Sequence, residues 1–282
     1  MKYSTTHKRV INYSTGGLGN RLRPLSSAYA VHKETGKILC QYWDSKTTNG
    51  TLAKFNELFE NDIKELSSKD LENLESYKIY SEINNINRLS SKYGRHDLID
   101  MVGKSPESLA PRGSYISDNS EDNIIFYCNN FIPNTNRDFC HEFIRSLRPI
   151  PIIQEKIDKE TVELGLNKNV IGVHARGTDF NVDVGYYINQ MRDYGSSVTF
   201  FLSTDDVKYE KEICSIFKER VITRQGRAHL TKENEEGAWE YNFVISKEKS
   251  QDSIVDMYLL AKTDIQIYHP ASTFSEIAKV LS

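Results

Sequence analysis

Apolar runs that end in polar residues recur along this chain, with amphipathic stretches between them. Arg9-Val10-Ile11-Asn12-Tyr13 predicts a first strand, followed by a glycine-rich turn, Ser14-Thr15-Gly16-Gly17-Leu18-Gly19-Asn20. Leu22, Leu25, Ala28, Tyr29 and Val31 then share one helical face, and Gly36 ends that helix before a second strand, Ile38 to Trp43. Residues 50–120 are polar and weakly periodic, and are expected to hold helices and loops. Ile124 to Cys128 is a further strand. Pro149 and Pro151 then restrict the backbone and predict a break.

After the break the pattern restarts. It predicts a helix over 152–164, strands over 170–174 and 198–202, and a helix over 208–217. A short strand over 220–223, a helix over 253–261, a strand over 264–268 and a helix over 275–281 complete it. Strands alternating with helices imply parallel sheets. The fold class is therefore α/β: two Rossmann-like domains, 1–150 and 151–282, with parallel sheets facing an interdomain cleft.

Composition narrows the classes. The 282 residues suffice for two ordinary domains, and 38% hydrophobic against 27% charged residues suits a soluble chain with packed cores. A net charge of −3 supplies no basic field for nucleic acid. Cys40, Cys128, Cys140 and Cys214 form no C-x-x-C pair and read as free thiols of a reducing compartment. The polar N-terminus has no apolar signal-peptide core, and no stretch reaches the ~18 apolar residues of a membrane span. The expected location is the cytoplasm, or its membrane surface as a peripheral protein.

Four segments at strand ends carry the candidate chemistry. Gly16-Gly17-Leu18-Gly19-Asn20-Arg21-Leu22 is either a tight strand-to-helix turn or a loop that brings backbone N–H groups to an anion. Leu22 stands where the third glycine of a dinucleotide fingerprint belongs, which disfavours NAD and a Rossmann-type oxidoreductase. His174-Ala175-Arg176-Gly177-Thr178-Asp179 follows the Val170–Val173 run. Arginine grips phosphate with two parallel charge-assisted hydrogen bonds, although an Arg176–Asp179 ion pair explains the same residues. Ser203, Thr204, Asp205 and Asp206 follow a third apolar run and offer either a helix cap or carboxylates for a base or ribose. Ser272-Thr273-Phe274-Ser275-Glu276 opens the last helix as a capping box or a phosphate cradle. No Asp-x-Asp occurs, which speaks against a metal-clamped diphosphate.

In this order the motifs resemble those of the fucosyltransferase superfamily, which joins α1,2-, α1,6- and protein O-fucosyltransferases with the rhizobial nodulation enzyme. The likeness covers about residues 10–45 and 168–280. It implies a GT-B fold, inverting transfer, no required metal or cofactor, and a GDP-sugar donor, usually GDP-fucose. It implies that Arg176 grips the β-phosphate, and that His174 with Asp205 or Asp206 lies near ribose and base. Ser203 and Thr204 would line that side, and Ser272, Thr273, Phe274 and Ser275 would cradle the diphosphate. Gly17, Gly19, Asn20 and Arg21 would approach the donor from the other domain. The family's second basic residue is replaced by Gly177, and Arg21, Arg23 or Arg224 is expected to compensate. Asp179 is the first candidate for the general base, ahead of Asp183 and Glu34. The acceptor would be an oligosaccharide, a polysaccharide or a lipid-linked glycan. Another nucleotide sugar as donor, or a module that binds nucleotide or glycan without catalysis, is the alternative. The absence of a signal anchor ahead of the first strand suggests a bacterial or viral enzyme.

Overall fold

The computed structural model describes residues 8–43, 50–74, 77–81, 107–108, 123–177, 182–226 and 244–282. They divide into two compact units, Met1–Gly50 with Asn61–Leu147, and Thr51–Glu60 with Arg148–Ser282.

The first unit opens with β1 (Arg9–Ser14), α1 (Leu18–Thr35) and β2 (Ile38–Trp43). Beyond β3 (Gly50–Thr51), whose second residue already belongs to the other unit, come β4 (Lys64–Glu65), α2 (Ser68–Glu72), β5 (Tyr77–Ser81), β6 (Glu107–Ser108), β7 (Asn123–Tyr127) and α3 (Arg137–Arg145). Its sheet runs β4-β2-β1-β7-β5-β6, and every pairing is parallel. Parallel sheets are covered on both faces, which is why these strands are near-continuous apolar runs. Ile11, Tyr13, Cys40, Ile79, Ile125 and Tyr127 fill one face with Leu66 and Leu71. Val10, Ile124 and Phe126 fill the other against Ala28 and Val31 of α1. Gly36 ends α1 at a φ of 71°, its N–H bonded to the His32 carbonyl at 2.8 Å.

The second unit contains α4 (Pro151–Glu163), β8 (Ile171–Ala175), α5 (Val184–Arg192), β9 (Phe200–Thr204), α6 (Val207–Phe217) and β10 (Val221–Ile222). β11 (Val244–Ile245), α7 (Lys247–Ala261), β12 (Asp264–Tyr268) and α8 (Thr273–Leu281) follow. The sheet order is β10-β9-β8-β12, again all parallel. Residues 51–60 belong to this unit despite their place in the sequence. Phe59 bridges Pro149, the Ile150 N–H donates to the Leu58 carbonyl at 3.0 Å, and the Leu52 N–H donates to the Ile245 carbonyl at 2.9 Å.

Three expectations need correction. The described part of 50–120 carries short strands as well as a helix, and the rest of it lies outside the described residues. The helix expected from 253 begins at Lys247, because Ser246 caps it by accepting from the Lys249 N–H at 3.2 Å. The strand expected over 220–223 shrinks to two residues, because a 3-10 turn takes Lys218–Arg220. Among the described residues no helix is long and apolar enough to cross a membrane.

Candidate functional site

The strands β9, β8 and β12 are neighbours, and their carboxyl ends bring the predicted groups together. His174 pairs in register with Ser203 and with Tyr268, and Ala175 pairs with Thr204. Arg176 is the first residue beyond β8. Tyr187, fully buried on α5, holds its backbone from both sides. The phenol oxygen accepts from the Arg176 N–H at 3.0 Å and donates to the Arg176 carbonyl at 3.2 Å. Burial raises the pKa of this hydroxyl well above its ordinary value, so the proton it donates is retained.

Asp205 secures the side chain. Its Oδ1 accepts from the Gly177 N–H at 2.8 Å, and its Oδ2 lies 3.4 Å from Arg176 Nε. The carboxylate side chain is 8% exposed and the arginine side chain 24%, so the guanidinium is oriented from below while reaching solvent. Gly177 has no room for a side chain. A Cβ there would stand 2.6 Å from Asp206 Cβ and 3.0 Å from its Oδ2. Asp206 is itself fixed as the cap of α6, accepting from the Lys208 N–H at 2.7 Å. Thr204 Oγ1 accepts from the Asp206 N–H at 3.2 Å.

The start of α8 is fastened to β8 by His174, which is almost wholly buried. His174 Nδ1 lies 2.6 Å from Ser275 Oγ and 3.3 Å from Ser272 Oγ, and its ring packs 4.7 Å from that of Phe274. Ser272 caps the helix, accepting from the Ser275 N–H at 3.3 Å. Both hydroxyls are thus engaged in holding the helix end, and Thr273 is half-buried beside them. What this fastening sets in place is a helix N-terminus with its positive dipole end.

Ser203 points into the unit and donates to Asp256 Oδ2 at 3.3 Å. Asp256 belongs to a network that sequence reasoning missed. The Arg224 guanidinium, fully buried, meets Glu160 at 2.6 Å, Asp256 at 2.7 Å and Asp252 at 3.1 Å. Burial opposes its charge, but Asp256 and the other carboxylates outweigh that and hold its pKa above the usual value. Arg224 therefore does not substitute for the basic residue absent at 177. No local pattern marks this set, since its members come from α4, α7 and the segment after β10.

In the first unit, Gly16 takes a φ of +83° and Gly17 caps α1, with Gly19 buried and Asn20 half-buried in its first turn. Arg21 serves the loop itself. Its Nε donates to the Gly16 carbonyl at 2.8 Å and its Nη1 to the Ser14 carbonyl at 3.3 Å, and the guanidinium lies 5.2 Å from the centre of the Trp43 ring. Arg23 donates to the Asn129 carbonyl at 3.0 Å. Asp183 caps α5 through the Gly185 N–H at 2.7 Å, and Glu34 is exposed on α1. Asp179 lies outside the described residues.

Comparison with solved structures now bears on this arrangement. NodZ alpha-1,6-fucosyltransferase co-crystallized with GDP matches over 98% of this chain and 92% of its own, at 19% identity and a TM-score of 0.64. The protein has the fucosyltransferase fold. Fucosyltransferase NodZ from Bradyrhizobium gives the same TM-score, 0.64, at 19% identity over 98% of this chain and 93% of that one. POFUT1 in complex with GDP-fucose shares the architecture over 100% of this chain and 95% of its own, at 11% identity and a TM-score of 0.56. This is the GT-B fold implied by the motifs. No protein-family profile matches the chain, and no curated protein sequence matches it.

Proposed function

We propose that the protein is an inverting, metal-independent glycosyltransferase that moves fucose from GDP-fucose to a glycan acceptor. The observation that carries this is Arg176, oriented by Asp205 and clamped by Tyr187, at the carboxyl end of a parallel sheet, where such folds bind ligands. The fold is shared with solved proteins bound to GDP and to GDP-fucose, which supports the choice of donor.

In the proposed reaction the sugar passes through an oxocarbenium-like state while negative charge grows on the departing diphosphate. Arg176 and the N-terminus of α8 stabilise that charge in a site already organised to receive it. His174 sets the helix end, and Asp205 sets the guanidinium. Asp179 is assigned to take the acceptor proton. The acceptor is an oligosaccharide, a polysaccharide or a lipid-linked glycan, and the setting is cytoplasmic or peripheral at a membrane.

Thermal melting with GDP, UDP, dTDP and NAD tests the donor. A ligand that binds only the native state adds about 2.7 kcal/mol at a hundredfold excess over Kd, enough to raise Tm by several degrees. GDP is expected to do so, and the other three are not. Fucose transfer from GDP-fucose should continue in excess EDTA. Stabilisation by UDP or dTDP alone would move the reading to another nucleotide sugar. GDP binding without turnover would leave a binding module.

A further inference from the structure

The connection from β8 to α5 is held at both ends by the turn that joins β9 to α6. At its start Asp205 accepts from the Gly177 N–H, one residue beyond the Arg176 backbone that Tyr187 grips. At its end the Tyr209 hydroxyl donates to the Val182 carbonyl. Asp205 stands just before the Asp206 cap of α6, and Tyr209 lies in the first turn of that helix. The two anchors therefore share one footing, which the Asp206–Lys208 hydrogen bond fixes. Val182 precedes the Asp183 cap of α5, outside the hydrogen bonds of that helix, and the phenol supplies its carbonyl with a donor.

Packing accounts for the Tyr209 ring. The ring and Val182 both lie against the core that holds Tyr187, Val184 and Ile213, with the Tyr209 centroid 6.4 Å from that of Tyr187. Packing does not account for the hydroxyl, because phenylalanine would fill the same space without taking an oxygen out of water. Burial first, then the carboxylates of Asp206, Asp183 and Asp205, raise the Tyr209 pKa, so the donated proton stays on the phenol. What the oxygen adds is a fixed far end for a segment whose near end carries Arg176. A segment with both ends fixed has less freedom left to lose when a ligand binds or a transition state forms. In sequence this connection also carries Asp179, the residue proposed to take the acceptor proton. We infer that Tyr209 is a positioning residue: its hydroxyl tethers the end of the β8–α5 connection, and sugar transfer depends on that tether. The dependence of transfer rests on the proposed function; the tether does not.

Tyr209→Phe removes the hydroxyl and keeps the ring. Hydrogen exchange read by mass spectrometry should show amides 178–182 of the variant exchanging about tenfold faster than in the wild type, the worth of one hydrogen bond. The melting temperature should fall by at most about 4 °C, and the Kd for GDP should be unchanged. With that Kd unchanged, kcat for fucose transfer should fall by about tenfold. Equal exchange in the two proteins would overturn the tether. Faster exchange with an unchanged kcat would overturn its service to the reaction. A joint loss of kcat, GDP affinity and several further degrees of Tm would reduce Tyr209 to a structural residue and overturn the proposal as well. A wild type that transfers no fucose would sink the transferase reading instead, and the exchange comparison would then decide the tether alone.

Discussion

At Arg176 a single side chain is served by two others, and the division of labour is testable. Removing the guanidinium takes away the charge proposed to meet the diphosphate, while Tyr187 and the Asp205–Gly177 hydrogen bond keep the loop in place. Arg176→Ala is expected to lower kcat by ~100-fold or more, with only a small change in melting temperature. Steady-state kinetics beside a thermal melt checks this, and near-normal turnover would remove the assignment. Gly177 makes the opposite case. Installing the family's basic residue as Gly177→Arg drives a Cβ into Asp206 and should cost about 1–3 kcal/mol, read as a lower midpoint in urea. An unchanged midpoint would show that the Asp206 turn yields.

Among the elements, the segment 51–60 shows how a short stretch is held to a helix. Glu57 Oε2 accepts from the Lys54 N–H at 2.8 Å, and its Oε1 meets Lys247 of α7 at 2.9 Å. The first bond, then the second, lowers the Glu57 pKa below its ordinary value. The folded pKa is below the unfolded one, so the contribution is present above the ordinary carboxylate range and is lost as pH falls through it. Acidification from neutral pH should therefore lower the wild-type Tm more than that of Glu57→Gln. Equal losses would show that the contact contributes nothing. The strands β1, β2, β7, β8, β9 and β12 and the helices α1, α4, α6, α7 and α8 were legible because apolar runs and 3.6-residue periodicity report local burial, whereas β5, α2 and α3 were not, β5 and α2 because they lie in the weakly periodic stretch 50–120. Strands such as β3, β4 and β6 were not, since two residues become a strand only through a distant partner. The helix α5 was passed over for its position after a polar loop. In the site, Arg176, His174 and Ser272 could be picked out from strand and helix ends. Tyr187 could not, because its part is defined by a backbone it touches only after folding.

Over the whole molecule, the two units are not consecutive halves of the chain. Phe55, Leu58 and Phe59 are almost completely buried, and they enter the second unit from the middle of the first unit's sequence. Burying three such side chains contributes on the order of 5–9 kcal/mol, comparable to the net stability of a domain. Residues 148–282 expressed alone should therefore unfold far below the full chain, and supplying 51–60 as a joined segment should restore cooperative melting. Circular dichroism of the two fragments decides it, and a stable 148–282 fragment would contradict this.

The crowding at Gly177 also bears on how this sequence can evolve. A second cation beside Arg176 is reached at lower cost in two mutational steps than in one, because at position 177 it meets the Asp206 methylene. Asp206→Gly is the permissive step, since glycine caps a helix with a loss of only a few tenths of a kcal/mol. Lineages that begin from this sequence are therefore expected to acquire the doublet in that order, and the reverse order passes through a weakened intermediate.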